Sequence, residues 1–390
     1  MSEAHPADGR ACLASPPASR LVRLVLFGNG TAAALTLRAI AAELSNRITV
    51  VLVVADTSDA GEDTWRRSLV KEAESLGLPA ARGNPNKASL LQRYAALHVD
   101  LFLSIQCRWI IRQGVRDIAP TYNVHNAPLP LLRGCDPMAW AIHDGLHEFG
   151  VTFHQITDDG IDSGPIIAQA RWPILADTTA YDLYDESIAR GTDLVLATLL
   201  TVADGTAVSV PQDNRYSTYH PMGQFDFRNS RLINWGGGAS AAALCSTARA
   251  NIFPPFQCPY WTLPVPVVGA GAGAAAAAAG GAAAGGGGSG EGEGSGEGKE
   301  GDEENLVTVF VHKLRLCQMG KEEEGGAGKK GNSSSDSGVV LTVSPTLTIA
   351  AKFGGVEILQ VSVGSKDASV VTGAQFAQEH QLRAGQKVYS

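Results

Sequence analysis

The chain has 390 residues, 44% of them apolar, and a formal net charge of −8. That length can bury a sizeable core in about two domains, and no stretch combines the length and the large apolar side chains of a membrane span. Two low-complexity stretches, 269–305 and 320–338, hold −6 and −1 of the charge, so the remainder is nearly neutral and demands no nucleic-acid partner. In chain order, residues 1–20 are rich in Ala, Ser and Pro and read as a disordered tail. Glu3 and Asp8 break the acid-poor pattern of a transit peptide. The expected location is cytoplasmic, with a mitochondrion or chloroplast as the alternative if the tail is a targeting segment.

Leu21–Phe27 is a near-continuous apolar run that ends at Gly28-Asn29-Gly30-Thr31. Helical periodicity through Ala32–Leu44 and a second apolar run, Ile48–Val54, complete a βαβ unit, which implies a parallel sheet covered on both faces. The pattern then predicts helices around 64–76 and 87–97 and strands at Asp100–Ser104, Tyr122–His125, Val151–Ile156 and Ile166–Trp172. A long helix over Ala180–Ala203 closes an α/β domain spanning 21–208. Residues 209–268 are Pro-rich with one helical patch at Ser240–Ala250 and read as a linker. The 269–305 and 320–338 stretches are too poor in apolar side chains to offset the entropy of ordering, and are expected to be disordered insertions. Leu306–Leu316, Val339–Val343, Leu347–Ala351 and Val356–Val363 are β-branched runs separated by Gly turns. They predict a small antiparallel barrel over 306–390, interrupted by 320–338.

The chemistry concentrates in 121–169. Asn123 and His125 lie two apart at the end of a predicted strand, so they share one face at the edge where open α/β sheets bind ligands. An amide donates to an oxyanion without titrating, and an imidazole hydrogen-bonds it or moves protons near neutral pH. Asp162 sits in Asp158-Asp159-Gly160-Ile161-Asp162-Ser163-Gly164, a turn between two predicted strands and hence at the same edge. A carboxylate there sustains an imidazolium and accepts a proton. The turn lacks the closing Glu of a calcium loop. His143 and His147 have the spacing of a metal pair but no third ligand, so no metal site is expected. The six cysteines form no CxxC pair and read as reduced thiols. His154, on an apolar strand, reads as a satisfied core or pocket-wall histidine. Gly28–Thr31 can cradle an anion, but Ala33 stands where a dinucleotide fingerprint needs Gly.

Asn123-Val124-His125, the proline-closed loop Ala127-Pro128-Leu129-Pro130, the turn at Arg133-Gly134 and the later Asp162 occur in the order that the folate-dependent formyltransferase family shows. The segment 21–208 resembles that family, most densely over 121–169. The resemblance implies a Rossmann-like, mostly parallel formyltransferase fold, 10-formyltetrahydrofolate as donor, and Asn123, His125 and Asp162 as the catalytic trio. Ala127, Pro128, Leu129 and Pro130 match a folate-contacting Ser-Leu-Leu-Pro loop of methionyl-tRNA formyltransferases without its Ser hydroxyl. Ile105–Ile110, with Trp109, resembles the stretch lining the pterin pocket. Leu232-Ile233-Asn234-Trp235 and Phe253-Pro254-Pro255 resemble the linker of the tRNA and amino-sugar enzymes, both of which carry a C-terminal barrel, with Asn234 where the family has Asp. The expected reaction formylates a primary amine. The favoured acceptor is methionyl-tRNA, so initiator tRNA is the implied partner; a nucleotide-linked amino sugar, or glycinamide ribonucleotide, is the alternative. A folate-binding module that has lost turnover is the reading from outside enzymology.

Overall fold

A computed structural model describes residues 21–234, 239–254, 257–264, 306–316, 340–342, 347–351, 354–363, 369–380 and 382. The expectations for 1–20, 269–305 and 320–338 lie outside these residues, as do Trp235 and Pro255. The elements are β1 (Val22–Gly28), α1 (Gly30–Glu43), β2 (Ile48–Ala55), α2 (Leu69–Ser75), β3 (Ala80–Arg82), α3 (Ala88–Ala96), β4 (Leu101–Ile105), α4 (Gln113–Arg116) and β5 (Thr121–His125). There follow β6 (Arg133–Gly134), α5 (Pro137–His143), β7 (Glu148–Gln155), β8 (Ile166–Pro173), α6 (Ala180–Ala203), a 3-10 turn at Asn214–Tyr216, β9 (Tyr219–His220) and α7 (Ala241–Asn251). Last come β10 (Tyr260–Pro264), β11 (Leu306–Leu316), β12 (Val340–Thr342), β13 (Leu347–Ala351), β14 (Gly354–Val363), β15 (Val371–Thr372) and α8 (Gly373–Glu379).

The central sheet has the strand order β3-β2-β1-β4-β5-β7-β8. The first five strands are mutually parallel, and the pairs Gly28–Ile105 and Ile105–Val124 line up their carboxyl ends along one edge. β1 and β4 carry consecutive apolar residues because both faces are covered: Leu24–Phe27 and Leu101–Leu103 are all buried. Beneath them Phe27 stacks on Phe102 at 5.1 Å, and Tyr94 meets Phe102 edge-on at 5.1 Å. Gly28 turns β1 into α1 because a Cβ there would lie 2.6 Å from Ala33 Cβ.

The helix expected over 64–76 is shorter, beginning at Leu69. The Asp59 carboxylate accepts from the Leu69 and Val70 amides at 2.8 and 3.2 Å, and the Ser68 hydroxyl accepts from the Lys71 amide at 3.0 Å. These side chains satisfy the first helical N–H groups and so set where the helix starts. At the other flank the sheet departs from the parallel rule. Thr121 O accepts from Ile156 N at 2.8 Å while Asn123 lies opposite His154, so residue numbers fall on β7 as they rise on β5. That antiparallel pairing sets the end of β7 beside the start of β5, and the loop after β7 reaches Asn123 and His125 from there through Asp162.

Compactness divides the chain into two units. One gathers residues up to His125, Phe153–Ala168 and Arg190–Gln212; the other gathers Asn126–Thr152, Gln169–Ala189 and the chain from Asp213. In the second unit the expected barrel strands form an antiparallel sheet with the order β10-β11-β14-β13-β12, and β15 pairs with β14. Val309, Val311, Ile358 and Val361 bury one face of it against Ala241, Cys245 and Ala248 of α7 and Phe376 of α8. β10 and α8 lie beyond the four strands that the sequence marks.

Candidate active site

Asn123 and His125 leave β5 on the same face, as their spacing dictates. On the opposite face Tyr122 stacks on Phe153 at 5.6 Å. Alternation along β7 therefore turns His154 towards Asn123, and its Nε2 lies 3.1 Å from Asn123 Nδ2. The loop joining β7 to β8 then carries Asp162 into the same group. Its Oδ2 lies 3.5 Å from His125 Nδ1, and its Oδ1 lies 3.4 Å from Asn123 Nδ2 and 3.6 Å from His154 Nε2. Side-chain exposure is 10% for His125, 12% for Asp162 and 2% for His154, so the cluster interacts where water screens little.

Each acid of this loop has a separate task. Asp158 accepts from Gly160 N at 2.8 Å and shapes the turn. Asp159 binds Arg112 and Arg116, both at 2.8 Å, and the two guanidinium groups hold its carboxyl below the ordinary carboxylate value. Asp162 occupies the left-handed region with φ +49°, a conformation Asp tolerates better than most residues. Its carbonyl and that of Gly164 each accept from Gln212 Nε2 at 2.8 Å. Glycine is required at 164, since a Cβ would collide with the Gln155 carbonyl oxygen.

The same edge carries the other features that the sequence singles out. Trp109 and Ile110 are 36% and 42% exposed on the loop after β4, so Trp109 is no core residue. In the Gly28–Thr31 turn, Asn29 N donates to Ile105 O at 3.2 Å and Thr31 Oγ1 accepts from Arg67 N at 3.0 Å. Burial pushes the nearby Asp56 carboxyl up, but the Ser58 amide and hydroxyl and the Arg108 guanidinium outweigh it and hold the group below its ordinary value. Burial drives the Cys107 thiol up to about 11, which leaves it protonated at neutral pH.

Within the second unit, Ala127, Pro128 and Leu129 are buried and Pro130 is partly exposed. Thr152 Oγ1 donates to Ala127 O at 2.6 Å, and Gln169 Nε2 donates to Leu129 O at 2.9 Å. The loop's backbone and Pro130, rather than its first three side chains, are thus what a ligand could touch. His143 pairs with Asp144 at 2.9 Å, and no group of three metal-ligating side chains occurs among the described residues.

The sequence marks Asn123, His125 and Asp162, and the structure brings the three together. It adds His154, read above as a core or pocket-wall residue, and Gln212, which no motif flags. A His at the penultimate position of β7, next to the buried Phe153, was the available signal for the first. Gln212 gave none, because its role depends on a backbone 50 residues away in sequence.

Residues 22–199 match the family described as Formyl transferase. A methionyl-tRNA formyltransferase of Citrifermentans bemidjiense is 30% identical over 226 residues, which is 56% of this chain and 69% of the relative. That of Desulfotalea psychrophila is 30% identical over 224 residues, 56% of this chain and 68% of the relative. Among solved structures, a sugar 3N-formyltransferase crystallised with dTDP and 5-N-formyltetrahydrofolate superposes with a TM-score of 0.59 at 20% identity, over 87% of this chain and 98% of that one. An N-formyltransferase from Helicobacter canadensis, in complex with folinic acid and dTDP-3-aminofucose, gives 0.58 at 19% identity, over 87% and 99%. Both share the fold. The chain belongs to the folate-dependent formyltransferase family. It is an enzyme of one-carbon transfer whose donor is 10-formyltetrahydrofolate and whose acceptor is an amine.

Proposed function

We propose that this chain formylates the amino group of methionyl-tRNA, with Asn123, His125 and Asp162 as its catalytic groups. The observation that carries the catalytic part is the meeting of amide, imidazole and carboxylate within 3.5 Å. The amine lone pair attacks the formyl carbon of the donor, a C–N bond forms, and the carbonyl electrons move onto oxygen. Asn123 Nδ2 and protonated His125 donate to that oxygen. Asp162 sustains the His125 charge and takes the amine's proton through water. The bond from the formyl carbon to N10 then breaks, and N10 gains the proton that the amine lost, so atoms and charge balance.

The acceptor assignment rests on the two methionyl-tRNA formyltransferases at 30% identity, of which the chain covers 69% and 68%. A nucleotide-linked amino sugar is the second reading, favoured by the near-neutral foldable regions, which give little grip on a polyanion. Label transfer from radioactive formyl donor decides between them, using methionyl-tRNA, a nucleotide-linked amino sugar and glycinamide ribonucleotide in parallel. Label on methionyl-tRNA is the expected result. Label on the sugar alone overturns the acceptor, and label on none of the three overturns turnover in favour of a folate-binding module.

A further inference from the structure

His154 reads from the sequence as a satisfied core or pocket-wall histidine, yet its ring lies against two members of the proposed trio. Nδ1 lies 3.1 Å from the Gln155 carbonyl oxygen. A carbonyl only accepts, so Nδ1 carries the proton. Nε2 lies 3.1 Å from Asn123 Nδ2, whose other neighbour is Asp162 Oδ1 at 3.4 Å. An ionised carboxylate also only accepts, so the amide must turn its NH2 group, not its oxygen, towards Asp162. The same NH2 group then faces Nε2, which must accept. An imidazolium at 154 would set a ring N–H against that amide donor at 3.1 Å, while the Asp162 Oδ1 acceptor lies at 3.6 Å, beyond hydrogen-bond reach. Asp162 thus fixes the sense of Asn123, and Asn123 with Gln155 fixes the tautomer of His154. The second imidazole of the cluster, His125, lies across the carboxylate, its Nδ1 3.5 Å from Oδ2.

We infer that His154 is a positioning residue: a neutral, Nδ1-protonated acceptor that anchors one N–H of Asn123 and leaves the other free to move from Asp162 to the reacting carbonyl oxygen. This rests on the trio acting as proposed above. The anchored bond is the shorter one, 3.1 Å against 3.4 Å, so the bond to Asp162 is the one that gives way. When Asp162 accepts the amine's proton it becomes a weaker acceptor and releases its N–H. Loss of the amine proton and stabilisation of the new oxyanion are therefore coupled through one amide, and His154 stops that amide from swinging as a whole. Burial of His154, 2% exposed, removes water as a competitor for Nε2.

Two measurements test this. First, ¹⁵N-histidine labelling of the full chain, with the His154 signals assigned by their loss in His154→Gln, reports the tautomer directly. The neutral Nδ1–H form is expected throughout about pH 6–8, around and above an ordinary histidine value. An Nε2–H tautomer or an imidazolium in that range overturns the inference, whether or not the protein transfers label to any acceptor. Second, His154→Phe keeps an aromatic ring and removes the acceptor. Its kcat is expected to fall about 10- to 100-fold with donor KM within about twofold, as for loss of orientation rather than binding. His154→Gln places a carbonyl oxygen near the Nε2 position and should recover kcat to within about threefold of the parent. In an Asn123→Ala background His154→Phe should add nothing, since there is no amide left to anchor. A Phe variant that keeps more than half the parent kcat, or the same loss in both backgrounds, overturns the positioning role. A parent that moves no label at all defeats the proposed function, and the tautomer measurement remains decisive for the anchor.

Discussion

At the scale of residues, the cluster around Asp162 makes distinct demands on each member. Asn123→Ala removes the non-titrating donor, and a fall in turnover of about 10² to 10³ is expected, read as kcat at saturating donor. Asp162→Asn retains the shape and the tolerance for left-handed φ but cannot take a proton, so the melting temperature should hold while activity is lost at every pH. In the parent, activity should fall as acid protonates the amine and Asp162; a flat profile would exclude this acid–base scheme. Asp56 supports a stability prediction. Its folded carboxyl lies below the ordinary value. Its contribution is therefore full above the unfolded value of about 4 and is lost as pH falls through the folded one. Asp56→Asn should weaken the protein to urea at neutral pH and flatten its loss of stability in acid. The Asn-x-His pair was legible because a two-residue period puts both groups on one face whatever the rest of the fold does. His154 obeys the same period, but its partner sits on a strand 31 residues away, and no local pattern encodes that.

At the scale of elements, the β7–β8 loop decides whether the carboxylate is in place. It is tied from outside by Arg112 and Arg116 to Asp159, and by Gln212 to the Asp162 and Gly164 carbonyls. The Asp159 pairs are exposed, so Asp159→Ala should lower turnover only about two- to fivefold, and by less in high salt. Gln212→Ala strips two carbonyls of their donor beside the site and should cost more, with kcat falling further than donor KM rises. In the second unit, Phe376 of α8 is fully buried against the antiparallel sheet. Phe376→Ala should destabilise that unit by about 3–5 kcal/mol, measured by denaturant unfolding. Long elements such as α6 carry enough periods to be read end to end from the letters. β3, β6, β9 and α4 do not, because two to four residues hold less than one informative repeat and form only where a neighbouring strand or loop supplies the hydrogen bonds.

At the scale of the whole molecule, the strand pairing shows where the chain can be cut. Pro264 and Leu306 are direct partners in the β10–β11 ladder, so the residues between them leave and re-enter at one point. Replacing 265–305 with a short Gly-containing turn should preserve both the melting temperature and the label-transfer rate. A large loss of either would assign those residues a structural or catalytic role. Charge at this scale bears on the acceptor. If methionyl-tRNA is the substrate, its KM should rise steeply with ionic strength, whereas a sugar nucleotide's should change mildly.

The letters by themselves marked the longer helices and strands of the α/β region, the four main strands of the C-terminal sheet, the Asn123–His125 pair at the carboxyl end of β5 and Asp162 as its acid. Hydrophobic periodicity and residue spacing are local, and they survive without knowledge of what packs against them. Only the tertiary structure decided that β7 runs antiparallel beside β5, that the His154 ring lies against the Asn123 amide, and that Gln212 and two arginines tie the loop bearing Asp162. Each of those contacts joins residues more than 30 positions apart, where the choice of partner is set by the folded sheet and not by any repeat along the chain.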